Sequence, residues 1–144
     1  MTKEEISSLL ENILDKEIEY IDPPTPSDWE RIEKKFNCQF PEEFKHFINL
    51  MSEYSFPGDI LNVASANTNG NDTIEFTYQY EMEQGSWKQE YIPFYSIGNG
   101  DYFCLSSKEC PSSGVYYFAH DEQDLIKEAN DFEEWLKQLP DFLN

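Results

Sequence analysis

Two helix starts and one continuous apolar surface are packed into residues 27 to 51, Ser-Asp-Trp-Glu-Arg-Ile-Glu-Lys-Lys-Phe-Asn-Cys-Gln-Phe-Pro-Glu-Glu-Phe-Lys-His-Phe-Ile-Asn-Leu-Met. Trp29, Ile32 and Phe36 recur at i, i+3 and i+7, one face of a helix, and Ser27 followed by Glu30 has the form of a capping box. Pro41 suits a first helical position, Glu42 and Glu43 complement the positive end of the helix dipole, and Phe44, Phe47, Ile48 and Met51 form the buried stripe of a second helix. Two short amphipathic helices are therefore expected to meet through aromatic side chains. Trp29, Ile32, Phe36, Pro41, Phe44, Phe47 and, near the end of the chain, Trp135 are assigned to the structural core.

Upstream, Thr2 and Glu5 form another capping pattern, and Ile6, Leu9, Leu10 and Ile13 fall at helical spacing, so an N-terminal helix is expected within residues 1–17. Asp22-Pro23-Pro24-Thr25-Pro26 reads as a stiff connector. Downstream, Leu61-Asn62-Val63 is a candidate short strand and Thr68 to Asp72 a turn. Thr73 to Glu81 reads as a longer strand, with Ile74, Phe76, Tyr78 and Tyr80 on one side and Glu75, Thr77, Gln79 and Glu81 on the other. Further strands are expected at 91–95, 102–105 and 115–118, separated by glycine-containing turns. Asn130 and Glu133 are placed at the start of a last helix that carries Trp135 and Leu139 and stops at Pro140. This order implies an α+β fold: a mainly antiparallel sheet with the N-terminal helices and the C-terminal helix packed on one face, leaving the other, polar face open.

The 27–51 pattern and four later blocks, Ile92-Pro93-Phe94, Gly98 to Leu105, Gly114 to Asp121 and Phe132 to Leu136, resemble in order the signature of the SUKH superfamily (SMI/KNR-type domain). The resemblance spans about residues 27–139 of a chain whose 144 residues suit a single domain, 1–144. It implies a non-catalytic binding protein. In bacteria such a domain is often an immunity protein that neutralises a cognate toxin by stoichiometric binding. The alternative is a regulatory adaptor, like the fungal regulator of cell-wall assembly in the same superfamily.

Charge narrows the partner. Ten Lys and Arg face 29 Asp and Glu, a formal net charge of −19, which argues against nucleic-acid backbones and anionic membrane surfaces and for a basic or neutral partner. Between Lys45 and Lys88 there is no Lys or Arg, while Glu53, Asp59, Asp72, Glu75, Glu81 and Glu83 all occur. The expected partner is a basic toxin domain, a nuclease being one candidate because its active site must hold phosphate. Glu75, Gln79, Glu81 and Glu83 on the polar sheet face are the partner-binding candidates, with Trp87 or Tyr91 as an aromatic anchor. The competing reading of each is a solvated surface.

Enzyme signatures are lacking: there is no G-x-S-x-G, no Walker loop and no H-E-x-x-H. His46 and His120 lack the cationic surroundings that a ribonuclease pair needs; the expectation is an exposed helix histidine and a strand end, respectively. Asn67, Asn69 and Asn71 alternate like calcium-loop ligands, but Asp72 and Tyr78 occupy the positions that need Gly and Glu. Three cysteines, an odd number with wide spacing, give no disulfide framework, Cys104 reads as a buried reduced thiol in a strand, and Cys38, Cys104, Cys110 and His120 lack the close pairing of a structural zinc site. No catalytic residue, metal or cofactor is assigned. Without a basic and apolar leader or a span of about 18 apolar residues, the expected compartment is the cytoplasm.

Overall fold

The computed structural model describes residues 1–16, 23–63 and 73–143. The expected turn at Thr68 to Asp72, the Asn67–Asn71 pattern and the first residue of the proline connector lie outside them. The described elements are α1 (Lys3–Ile13), β1 (Asp15–Lys16), α2 (Pro26–Phe36), α3 (Glu42–Leu50), β2 (Tyr54–Ser55), β3 (Asp59–Ile60), α4 (Ile74–Glu83), β4 (Tyr91–Ser96), β5 (Tyr102–Ser106), β6 (Val115–Ala119), β7 (Asp124–Ala129) and α5 (Phe132–Phe142). Strands β3 to β7 form one antiparallel sheet in sequence order, and β1 pairs with β2 separately. The fold is α+β.

One face of the large sheet carries the main core. Phe44 of α3 is fully buried and meets the rings of Trp29, Phe40, Phe94 and Phe132 at 5.2–6.1 Å between centroids. Ile6 and Leu10 of α1, Ile32 of α2, Phe47 of α3 and Trp135, Leu136 and Leu139 of α5 close the same core over Ile92, Phe94, Phe103 and Leu105 of the sheet. Edge-to-face ring contacts of this kind add to simple area burial, which makes the aromatic-rich sequence a packing device. Of the residues assigned to the core, Trp29, Ile32, Pro41, Phe44, Phe47 and Trp135 are buried, whereas Phe36 is half-buried at the margin. There its ring stands edge-on to Tyr78 at 4.8 Å.

Helix boundaries differ from expectation for local reasons. Thr2 and Glu5 do form a capping box, but α2 is capped by Thr25 and Asp28 instead of Ser27 and Glu30. Pro26 then takes the first helical turn, where a missing N–H costs nothing. Pro41 is itself the cap of α3, not its first helical residue. Asp131 caps α5 by accepting from the Glu134 N–H at 2.8 Å, and α5 runs through Pro140 to Phe142. Strand β7 was not expected at all: Asp-Leu-Ile-Lys-Glu-Ala is too charged to show an apolar alternation.

Residues 73–83 and the cysteines depart further from expectation. The expected strand at Thr73 to Glu81 is helix α4. Ile74, Tyr78 and Met82 fit the spacing i, i+4, i+8 as well as Ile74, Phe76, Tyr78 and Tyr80 fit a strand. The tie is broken by the Thr73 hydroxyl, which accepts from the Phe76 N–H at 3.1 Å. The sheet face opposite the main core is therefore not open. Trp87, Tyr102, Cys104 and Phe118 form a second, smaller core there, with Tyr78 and Met82 of α4 packed on it. Cys38 and Cys110 form a disulfide across 72 residues, joining the segment after α2 to the β5–β6 loop. Cys104 is the free, fully buried thiol, and burial holds its pKa well above the usual thiol range.

Candidate partner-binding site

Helix α4 lies on the surface of the second core and has two contrasting faces. At 100° per residue, Ile74, Tyr78 and Met82 point inward, while Phe76, Gln79, Tyr80 and Glu83 span an outward arc of about 100°. Phe76 is 47% exposed and Tyr80 50% exposed, two of the four large apolar side chains left in solvent among the described residues. Gln79 and Glu83 lie beside them and share a hydrogen bond of 3.2 Å. The result is a pair of aromatic rings set among carboxylates, on a helix with no cationic residue.

The flanking carboxylates are fixed by the rest of the fold. Glu75 receives Arg31 of α2, whose Nη2 is 2.7 Å from Glu75 Oε1 and also donates to the Val63 carbonyl at 2.7 Å, while Nη1 reaches Asp28 at 2.8 Å. These bonds raise the guanidinium pKa above its ordinary value and tie the start of α4 to α2. Glu81 accepts from the Tyr102 hydroxyl at 2.8 Å. Burial, then this bond, pushes the Tyr102 pKa up.

The candidates read from the sequence thus separate. Glu75, Gln79, Glu81 and Glu83 do cluster, but on a helix and not on a sheet face: Gln79 and Glu83 face outward, and Glu75 and Glu81 are half-buried at the flanks. Trp87 is 7% exposed, with its indole N–H donating to the Tyr91 carbonyl at 2.8 Å and its ring against Tyr102 and Phe118. It is a core residue, not an accessible anchor. Tyr91 is half-buried and packs edge-on to Tyr116 at 5.3 Å. The aromatics offered to solvent are Phe76 and Tyr80, which a strand reading placed on the inner side. A helical wheel over 73–83 would have found them.

A groove of about 600 Å³ between α2, α4 and the β5–β6 loop is lined by Lys35, Phe36, Tyr78, Gln89, Glu90, Ser107 and Lys108. Its two lysines give it the wrong sign for a basic partner. At the β6–β7 turn, His120 Nδ1 lies 2.7 Å from Asp101 Oδ1 and Nε2 lies 2.9 Å from Asp121 Oδ1. Tyr117 donates to the other Asp101 oxygen. The bond to Asp101 raises the His120 pKa against an opposing desolvation, with the charges of Asp121, Asp101 and Glu81 adding in the same direction. Burial disfavours the Asp101 anion, but the bonds from Tyr117 and His120 outweigh it and hold its pKa below the ordinary carboxylate value. Burial and the same bond push Tyr117 up to about 12. His120 follows strand β6, as expected, and this network pins the β4–β5 turn to the β6–β7 turn. Gly100 takes a positive φ of 95° there, and a Cβ would meet the His120 ring at 3.0 Å. His46, expected to be exposed, is half-buried on α3.

Among the described residues no helix is long and apolar enough to cross a membrane. A family model, SUKH_5, described as SMI1-KNR4 cell-wall, matches residues 3–141. A protein from Pseudomonas syringae pv. tomato, known from its crystal structure, is similar in fold, with a TM-score of 0.67, 17% sequence identity and 96% of each chain covered. No curated protein matches.

Proposed function

The chain belongs to the SUKH (SMI1-KNR4) family, and from that premise we propose that it is a non-catalytic immunity protein that neutralises a cognate toxin by stoichiometric binding through the outer face of α4. The observation that carries this reading is the Phe76–Tyr80 pair exposed among Glu75, Glu81 and Glu83. Interface energy concentrates in a few aromatic anchors, and surrounding carboxylates steer a basic partner into register. The net charge of −19 supports a basic toxin domain, and a nuclease offers the electropositive cleft that such a face complements. The family's cell-wall description keeps the adaptor as a second reading.

The test is a pull-down with the C-terminal domain of a toxin encoded beside this gene, repeated at low and high salt and with Phe76→Ala/Tyr80→Ala. Salt-sensitive one-to-one binding that abolishes toxin activity, weakened by the double substitution, is the expected result. Full inhibition by the variant would remove α4 from the interface. Failure to bind the neighbouring toxin at all would favour the adaptor.

A further inference from the structure

The other two exposed large apolar side chains, Ile126 at 49% and Phe142 at 48%, lie away from α4. They belong to β7 and to the end of α5. Between these elements is a notch of about 190 Å³ lined by Phe103, Tyr117, Trp135, Leu139 and Phe142, with Glu128 and Gln138 also lining it. Tyr117 is the register partner of Ile126, and the two-residue strand period puts Ile126 and Glu128 on the same side. The notch is too small for an ordinary small-molecule site of about 300–1,000 Å³. It is about the size of one large side chain.

Strand β7 is also the last strand of the sheet, paired with β6 and with no neighbour beyond it among the described residues. Its residues 124 and 126–128 are exposed, and two of its backbone groups meet only exposed side chains that an incoming strand can displace: the Leu125 N–H donates to Asp124 Oδ1 at 2.9 Å and the Glu128 carbonyl accepts from Gln138 at 3.3 Å. An unpaired edge is a template for another strand. Its charge decides which strand. Asp121, Glu122, Asp124 and Glu128 surround a single cation, Lys127. Pairing β7 with a second copy would set these carboxylates against their equivalents and bring together two chains of charge −19.

We infer that β7 and the adjoining notch form a docking site for an extended, cationic segment of a partner protein, which adds as a further strand on β7 and places one apolar side chain in the Trp135–Phe142 notch. Main-chain hydrogen bonds supply the pairing and the notch supplies specificity, as in other strand-addition sites. The site is independent of the α4 face.

The experiment uses the full chain, ¹⁵N-labelled, with the capped peptide Lys-Val-Lys-Phe-Lys-Val-Lys as probe. A peptide of the same charge with both valines replaced by proline cannot complete the ladder. The expected result is saturable shifts and slowed hydrogen exchange at residues 124–129 with the first peptide and not the second. Binding should weaken about tenfold in Ile126→Thr/Phe142→Ala, as loss of two apolar contacts predicts. Equal effects from both peptides, shifts confined to 74–83, or concentration-dependent shifts at β7 without peptide would each overturn the inference. The last would identify a second copy as the occupant.

Discussion

The two faces of the sheet are covered in opposite ways. On one, four helices bury a contiguous core centred on Phe44, Phe94 and Trp135. On the other, the single helix α4, which sends Ile74 into the main core, rests through Tyr78 and Met82 on the smaller core of Trp87, Tyr102, Cys104 and Phe118, with its outer aromatics in water. The first face has the burial that sustains a domain. The second is smaller, and Ile74 and the Arg31–Glu75 pair anchor only the start of α4, so we expect the later turns of α4 to open more readily than the rest of the fold. A presenting element on a rigid scaffold is a suitable arrangement for partner recognition.

The most severe way to probe this contrast is Phe44→Ala, which removes a fully buried ring touching four others. It should cost about 3–5 kcal/mol, read by chemical denaturation as one cooperative loss. Next is removal of the Cys38–Cys110 crosslink by Cys38→Ser/Cys110→Ser, with an expected cost of about 2–5 kcal/mol measured against the oxidised protein. A thiol assay on freshly isolated protein bears on the compartment, because a reducing cytosol keeps such pairs open.

Trp87→Ala should cost less globally, about 3 kcal/mol, the low end for such a truncation, because its core is small and can relax around the loss. Its signature is faster amide exchange in 74–83 than in α3 or α5. If it unfolds the whole domain as Phe44→Ala does, the two cores form one cooperative unit and the contrast fails. Phe76→Ala and Tyr80→Ala should change stability by no more than about 0.5 kcal/mol, since both rings are already half in water. A large loss of stability at either would mean that they pack, and would weaken the case for a binding face.

The smallest effect concerns His120. Its folded pKa is raised, so its contribution to stability is complete below the unfolded value of about 6.5 and is lost as pH rises through the folded value. Asp101, with a depressed folded pKa, contributes above its unfolded value of about 3.9 and loses that contribution as pH falls through the folded one. An NMR titration should place the His120 pKa above 6.5, and Asp101→Asn should bring it down. No change in Asp101→Asn would show that the two turns are not coupled through this pair.

The main core was legible because its elements carry unambiguous periods. Trp29, Ile32 and Phe36, then Phe44, Phe47 and Ile48, repeat as one helix face, and strands β4 to β6 alternate between apolar runs and glycine turns. The second face was misread because Ile74 and Tyr78 satisfy a period of two and a period of nearly four at once. Glu75, Gln79, Glu81 and Glu83 stand out by polarity and acidic charge, and their clustering survives the change from strand to helix, but their direction does not. With that change, Trp87 moved from anchor to core and Phe76 and Tyr80 moved outward.

The sequence by itself determined the family, the α+β class, the aromatic core and the acidic character of the surface, since these depend on local period, composition and the order of blocks. Only the tertiary structure decided that α4 covers the second sheet face, that Cys38 meets Cys110, that His120 lies between Asp101 and Asp121, and that β7 is an exposed edge. Each of these depends on which segments distant in the chain meet or fail to meet, and local spacing carries no information about that.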